Sequence, residues 1–147
     1  MSGFPYQTIT QSITGSSTSA YAANQVIGGL QTLTPVAKNG LLQGITLTAG
    51  STVSAQVDFV LFTSSMPNTT FTNLSSIAIS SQDYTNVGTV VNITNWAYAG
   101  TGCSVGVANG LAYAFNCPSQ NLYYALIARA ALTLSPGSLN ISVTIVS

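Results

Sequence analysis

Residues 56–63 read QVDFVLFT, a run dominated by large apolar side chains. In an extended strand Val57, Phe59 and Leu61 project to one side, and Val60 and Phe62 project to the other. A strand that is apolar on both faces belongs in the middle of a packed structure, with a layer on either side of it. The stretch therefore predicts a central β-strand.

Further strand candidates lie on both sides of this stretch, and they number about eight in all. The clearest are residues 45–48, 87–94, 122–132 and 139–146, the last with strict alternation of apolar and polar side chains. No segment sustains a helical apolar stripe for three turns, and one short helix is predicted near Ser80, where SSQD resembles a capping box. The pattern predicts an all-β fold, a single-domain β-sandwich that is jelly-roll-like.

The first 24 residues differ from the rest because they are rich in Ser, Thr, Gln and Ala. We predict an extended N-terminal arm at residues 1–24, with one strand at 6–14, ahead of a sandwich domain at 25–147. Such arms become ordered when they lie on a neighbouring molecule. The isolated apolar residues of the arm are therefore interface candidates, namely Phe4, Tyr6, Ile9 and Ile13.

The two cysteines flank the strongest turn signal in the chain. Asn109-Gly110 between alternating runs predicts a β-hairpin. A two-residue loop places Cys103 opposite Asn116, whereas a three-residue loop places it opposite Cys117. In the second register a Cys103–Cys117 disulfide is geometrically open. Two free thiols are the alternative, as expected for a chain assembled in a reducing cytoplasm.

Charge is almost absent, since the chain has four charged side chains among 147 residues and no histidine. Two cations can line neither a phosphate track nor a polybasic membrane patch, so we expect no nucleic-acid and no membrane partner. Apolar runs are too short for a membrane span, and no signal peptide is evident. The neutral surface offers little self-repulsion and favours association. Stability should vary little between about pH 5 and pH 8.

Residues that could carry catalysis are few. A Ser-His-Asp site requires histidine, and two Cys with two Asp do not form a metal cluster. Asp58 and Arg129 each lie in an apolar strand segment, and a buried ion pair between them would satisfy both charges. We therefore expect no enzymatic activity, no cofactor and no metal.

Three aromatic residues are further interface candidates. Trp96 and Tyr98 lie in an Asn-, Ala- and Gly-rich stretch at 95–102 that is typical of a loop, where exposed rings stack on sugars or anchor protein interfaces. The alternative for Trp96 is that it covers one end of the sandwich. Tyr123 and Tyr124 are adjacent in a strand, so one of them faces outward, and Tyr123 is taken as the candidate.

Several strand segments resemble those of small structural proteins of tailed bacteriophages. The segments are 39–43 (NGLLQ), 57–62 (VDFVLF), 70–72 (TFT), 122–129 (LYYALIAR) and 139–143 (LNISV), and the resemblance runs from about Gly28 to the end. Proteins of this family are β-rich head components, and the resemblance implies a non-enzymatic decoration, or cement, protein. The chain departs from the family pattern in its near absence of charge.

The resemblance also implies partners and a location. The partners are the major capsid protein and other copies of the chain, as a homotrimer whose arm reaches across capsid subunits and stabilises contacts between capsomers. The location is the capsid exterior of the virion, after synthesis in the host cytoplasm. Two alternatives stay open: a receptor- or glycan-binding tip or adhesin module that uses Trp96 and Tyr98, and a filament or surface-layer subunit.

Overall fold

The structure is a computed structural model that describes residues 6–13, 20–134 and 139–147. These ranges consist mainly of antiparallel β-strands, and their helical content is one 3₁₀ turn at Tyr84–Asn86 in place of the short helix predicted near Ser80. The strands are β1 (Tyr6–Ser12), β2 (Ala20–Tyr21), β3 (Gln25–Leu33), β4 (Asn39–Ala49), β5 (Val57–Phe62), β6 (Val87–Ile93), β7 (Trp96–Gly100), β8 (Cys103–Ala108), β9 (Tyr113–Asn116), β10 (Leu122–Ala128), β11 (Leu132–Thr133) and β12 (Leu139–Val146).

Two sheets form the body of the molecule. The larger has the order β1-β12-β4-β8-β7, with β9 also pairing with β4, and the smaller has the order β3-β10-β5-β6. A short pair, β2 with β11, lies apart from both. The predicted all-β sandwich is confirmed.

The chain folds back on itself in nested pairs. β1 pairs with β12, β3 with β10, β4 with β8, and β5 with β6, all antiparallel. Within each sheet, one further strand contact joins two of these pairs. It is β12 with β4 in the larger sheet and β10 with β5 in the smaller sheet. Strands from the two ends of the chain therefore lie side by side in both sheets.

Strand β5 is buried along its whole length, as its apolar sequence predicts. Its residues Phe59 and Leu61 belong to the main core between the two sheets, where the Phe59 ring stacks on Tyr124 with centroids 4.8 Å apart. On the opposite face, Val60 and Phe62 belong to a second apolar cluster. That cluster is covered by the long connection at residues 63–86, which contributes Met66, Phe71, Ile77 and Ile79.

The hairpin predicted at Asn109-Gly110 is wrong. β8 and β9 do not pair with each other but lie end to end along β4, with Ala108 opposite Ile45 and Tyr113 opposite Leu42. The physical reason is that β4, at 11 residues, is long enough to bind both segments. The residues between them form a short loop, which we call the 109–112 loop, in which Asn109 and Gly110 are exposed and Leu111 packs against the main core.

This arrangement also separates the two cysteines. Cys103 begins β8 beside the end of β4, whereas the backbone N–H of Cys117 donates to the carbonyl of Lys38 just before β4 begins. The two thiols are thus about the length of β4 apart, on the order of 35 Å at about 3.3 Å per residue. A disulfide needs Cα atoms within about 7 Å. Both cysteines are free, so the Cys103–Cys117 bridge is not formed.

The N-terminal region is part of the sandwich wherever the structure describes it. Strand β1 pairs with β12 in continuous register from Tyr6 opposite Val146 to Ser12 opposite Asn140. Tyr21 is buried in the main core. Residues 6–12 are therefore an edge strand of the larger sheet rather than an arm that leaves the body, because an alternating strand binds the nearest open sheet edge. The predicted arm residues at 1–5 and 14–19 lie outside the described residues.

Candidate functional site

Asp58 and Arg129 meet at the end of the smaller sheet. Arg129 follows β10, and its Nε donates to Asp58 Oδ2 at 2.6 Å. The other carboxylate oxygen of Asp58 accepts from Gln56 Nε2 and from Asn92 Nδ2, both at 2.8 Å. Arg129 Nη1 also donates to Asn24 Oδ1 at 2.7 Å. The Asp58 carboxylate thus ties Gln56, just before β5, and Asn92 of β6 to Arg129 after β10, and Arg129 extends the network to Asn24 just before β3.

The electrostatics of this cluster favour the ionised carboxylate. Burial of Asp58 by itself raises its pKa, but the hydrogen bonds from Asn92, Arg129 and Gln56 outweigh burial, and the net pKa lies below the ordinary 3.8. A carboxylate whose oxygens already accept hydrogen bonds from side chains of the fold is not available as a general base. The cluster therefore stabilises the fold.

The second carboxylate, Asp83, fastens the connection that covers the smaller sheet. Asp83 is buried, and it accepts hydrogen bonds from the backbone N–H of Asn68, the Asn68 side-chain amide and the Thr69 hydroxyl. Thr69 Oγ1 in turn accepts from the backbone N–H of Ser80. Burial raises the pKa of Asp83, but these hydrogen bonds lower it to a net value below 3.8. The carboxylate holds the two ends of residues 68–83 together.

These shifts predict how stability depends on pH. Because the folded-state pKa values of Asp58 and Asp83 are lowered, their contribution is present above about pH 4 and is lost as the pH falls through the folded values. Burial raises the pKa of Tyr124 from 10.0 to about 12, although a hydrogen bond from Gln11 opposes the shift. Its contribution is present below pH 10 and is lost as the pH rises through 12.

We therefore expect a flat plateau of stability from about pH 5 to pH 9, with losses on both sides. Thermal unfolding followed by circular dichroism across that range measures it. A midpoint that moves by more than a few degrees between about pH 5 and pH 9 would contradict the directions in which the pKa values of Asp58, Asp83 and Tyr124 are shifted.

Three of the four charged side chains are thus bonded within the fold. Asp58, Arg129 and Asp83 are engaged as described, and Lys38 is the charged residue that lies exposed. The outer surface consequently presents neutral groups, chiefly hydroxyls and amides. Contacts made by such a surface depend little on ionic strength.

The candidates in the N-terminal region have different environments. The Tyr6 side chain is 62% exposed, Ile9 is half-buried against the main core, and Ile13 is buried within it. Phe4 lies outside the described residues. Of these residues, Tyr6 is the one that the structure leaves available to a partner.

Trp96 and Tyr98 both lie on β7, the opposite edge of the larger sheet, and not in a loop. The Trp96 indole N–H donates to the carbonyl of Ala55 at 2.9 Å, and the ring is half-buried. Its six-membered ring covers Gly106, where a Cβ atom would approach within 2.9 Å. Trp96 therefore packs over Gly106 and against the main core at this edge of the sheet, whereas Tyr98 is 59% exposed.

Tyr123 faces away from the main core, as the strand alternation predicts. It is half-buried and packs against the second apolar cluster under the 63–86 connection. Tyr84, on the 3₁₀ turn of that connection, is more exposed at 66%. Sequence reasoning missed Tyr84, because its neighbours Asp83 and Asn86 give no periodic signal.

The two edges of the larger sheet share a chemical character. β1 and β7 each carry an exposed tyrosine and no charged residue or proline, which are the groups that commonly protect sheet edges. β1 is regular over seven residues, whereas the register of β7 shifts between Tyr98 and Gly100. In the smaller sheet the β3 edge is covered, since the carbonyl of Ser75 accepts from the N–H of Val26.

The outer face next to the β1 edge is lined with paired hydroxyls and amides. Thr10 Oγ1 and Ser142 Oγ are 2.8 Å apart, and the Ser12 hydroxyl donates to Asn140 Oδ1 at 2.7 Å. These cross-strand pairs fix the side chains before any partner arrives. A contact on this face would therefore lose little side-chain entropy.

Residues 6–13, 20–134 and 139–147 contain no group of three His, Cys, Asp or Glu side chains that could hold a metal ion. Within those same ranges there is no helix of the length and hydropathy that a membrane crossing requires.

Comparison with known proteins shows a weak structural likeness. No family model matches the chain, and no curated protein matches it. Among solved structures, it is similar to a chain of the cyanophage Pam1 capsid asymmetric unit, with a TM-score of 0.37 and 13% sequence identity. The alignment covers 99% of this chain and 89% of that chain.

Proposed function

We propose that this chain is a non-enzymatic virion structural protein that binds the outer surface of a phage head. In this role it is a decoration, or cement, protein that stabilises contacts between capsomers. The proposal starts from the resemblance of its strand segments to small structural proteins of tailed bacteriophages. The observation that carries it is the neutral surface, because three of the four charges are bonded inside the fold.

A neutral surface suits a protein that is packed in many copies. Copies of such a chain repel each other little, so they can lie close together on one shell. Their hydroxyl and amide groups supply many small hydrogen bonds, each of which contributes about 1 kcal/mol or less. Repeated over a shell, such contacts oppose opening without any single strong bond.

We infer a jelly-roll topology from the strand order. The four nested antiparallel pairs, completed by β12 with β4 and β10 with β5, give two four-stranded layers to which β7 is added. An eight-stranded antiparallel ribbon wound into two sheets is the arrangement of jelly rolls, which occur in viral capsid and lectin domains. The topology by itself selects neither function.

The proposed homotrimer would use the two edges of the larger sheet. β1 and β7 are different surfaces, so pairing β1 of one copy with β7 of the next is a heterologous contact, and such contacts close into rings when the rotation permits. Both edges are uncharged, and each presents an exposed tyrosine, Tyr6 or Tyr98. Tyrosine is enriched at protein interfaces.

The rival glycan-binding hypothesis has less support. It relied on Trp96 and Tyr98 as stacking platforms, but the Trp96 ring lies over Gly106, and its indole N–H is bonded to Ala55. Tyr98 would remain as a single exposed ring. No described feature favours this second function over attachment to a shell.

The proposal is tested with emptied, expanded heads of the phage that encodes the chain. Heads without the protein are mixed with the purified chain and then exposed to heat or denaturant. We expect saturable binding and heads that are harder to disrupt. Absence of binding to the heads would overturn the proposal, and binding without any gain in resistance would remove the cement role.

A further inference from the structure

The chain contains two Asn-Gly pairs whose asparagines are both exposed, and the fold pairs one of them with a neighbouring strand and leaves the other outside any strand. Asn39-Gly40 begins β4, whereas Asn109-Gly110 lies in the exposed 109–112 loop. We propose that Asn109 is a site of spontaneous deamidation, at which water converts the side-chain amide to a carboxylate, and that Asn39 is protected by the sheet. This inference does not depend on the proposed function.

The reaction requires the backbone nitrogen of the next residue to reach the side chain. The Gly110 nitrogen loses its proton to solvent base and attacks Cγ of Asn109, so that an N–Cγ bond forms. The Cγ–Nδ2 bond breaks, ammonia leaves, and a five-membered succinimide remains. Water then adds to one of the two ring carbonyls and breaks one C–N bond, which yields aspartate or isoaspartate. Overall, one water is consumed and one ammonium ion is released.

The geometry around Asn109 permits this attack. Asn109 and Gly110 are both exposed, and no atom lies within 4 Å of the position that a Gly110 Cβ would occupy. Gly110 has a φ of 70°, a left-handed conformation that glycine adopts without strain. Across residues 6–13, 20–134 and 139–147, no hydrogen bond holds the Asn109 side chain or the Gly110 N–H. The loop is held on both sides, since Asn109 Oδ1 lies 3.2 Å from the position that a Gly44 Cβ would occupy and the Leu111 N–H donates to the Gln43 carbonyl. Rotation about Asn109 and Gly110 alone brings the nucleophile to its target.

The geometry around Asn39 opposes attack of the Gly40 nitrogen on the Asn39 side chain. Asn39 and Gly40 pair with Asn116 and Phe115 of β9, and the Asn39 side-chain oxygen accepts from the Asn116 amide. A Cβ at Gly40 would lie 2.9 Å from the carbonyl oxygen of Val146, which shows how closely β12 packs there. The first residues of β4 must separate from β9 before the succinimide ring can close, and such local opening of a paired strand costs free energy.

The product would change a specific part of the surface. The 109–112 loop borders a cavity of about 450 Å³ whose other wall is β6, with Val90 and Tyr113 among its lining residues. A carboxylate at position 109 changes the formal net charge of the chain from 0 to −1. Its charge would stand at the rim of this cavity, on a surface otherwise composed of neutral groups.

The experiment compares the two pairs within one molecule. The purified full chain is incubated at pH 8 and 37 °C, sampled over weeks, digested, and analysed by mass spectrometry and by isoaspartyl methyltransferase labelling. We expect deamidation at Asn109 to be at least about tenfold faster than at Asn39 in the folded protein. In denaturant the two rates should become equal, because the local sequence Asn-Gly is the same.

Matched variants complete the test. Asn109→Gln keeps the amide but requires a six-membered ring, so the acidic species should disappear in this variant and persist in Asn39→Gln. Equal rates at the two sites in the folded protein, or an acidic species that survives Asn109→Gln, would overturn the inference.

Discussion

Replacing Asp58 with alanine is expected to lower the free energy of unfolding by about 3 kcal/mol. The substitution removes the acceptor for three donors, namely Arg129 Nε, Gln56 Nε2 and Asn92 Nδ2. All three donors keep some access to water, since Asn92 is exposed, Gln56 is half-buried and 30% of the Arg129 side chain is exposed, whereas 5% of the Asp58 side chain is exposed. The simultaneous loss of three hydrogen bonds to one carboxylate, each worth about 1 kcal/mol, dominates the effect.

The control variant removes the other member of the same ion pair. Arg129→Met keeps the aliphatic stem and leaves Asp58 with two of its three donors, so the expected loss is smaller, about 1–2 kcal/mol. Urea unfolding of both variants measures the difference. If Asp58→Ala costs less than Arg129→Met, the carboxylate is not the centre of the cluster.

A lysine on either edge of the larger sheet is expected to abolish self-association. Thr8→Lys on β1 and Tyr98→Lys on β7 each place a charge where a neighbouring strand would have to pair. Burial of that unpaired charge should weaken each contact by about 2 kcal/mol, or roughly 30-fold in its dissociation constant. Sedimentation velocity measures the change. We expect trimers for the unmodified chain and monomers for both variants.

The matched control adds the same charge elsewhere. Ser81 is exposed on the connection over the smaller sheet, so Ser81→Lys should leave the trimer intact. At a chain concentration low enough for every protein to be monomeric, all three variants should unfold within about 0.5 kcal/mol of the unmodified chain, since each substitution lies on the surface. If only one edge variant dissociates, like edges pair with each other. If neither does, the edges are not the interface.

The layers of the fold could be predicted from the sequence because the burial of a strand determines which of its positions are apolar. Residues 57–62 are apolar on both faces, and β5 is indeed covered on both faces, by the larger sheet and by the 63–86 connection. Strict alternation at 139–146 likewise corresponds to β12. These predictions depend on local periodicity alone, which an amino-acid sequence displays directly.

Pairing between distant strands was harder to predict. Asn109-Gly110 has the local chemistry of a tight turn, yet β8 and β9 both bind β4, more than 50 residues earlier in the chain. Similarly, residues 6–12 have the pattern of a strand, but nothing local identifies β12 as their partner. Register and partner choice are decided by the whole set of available edges, and therefore by tertiary structure.

The ion pair of the candidate site could be predicted because the chain has so few charged residues that could pair. With two cations and two anions in the chain, the pairing of Asp58 with Arg129 could be anticipated from their apolar surroundings. The role of Asp83 could not, because its partners Asn68 and Thr69 are ordinary polar residues of a long connection. The environment of Trp96 depends on Gly106 of the next strand, which no local pattern indicates.

The most direct test of the central claim is to count the copies that bind to a head. The purified chain is titrated onto emptied, expanded heads at about 0.05 M and 0.5 M salt, and the bound chain is measured by co-sedimentation. We expect saturation at a fixed ratio to the major capsid protein, with the same ratio at both salt concentrations. Binding of a few copies per head, or binding that disappears at high salt, would contradict the proposal.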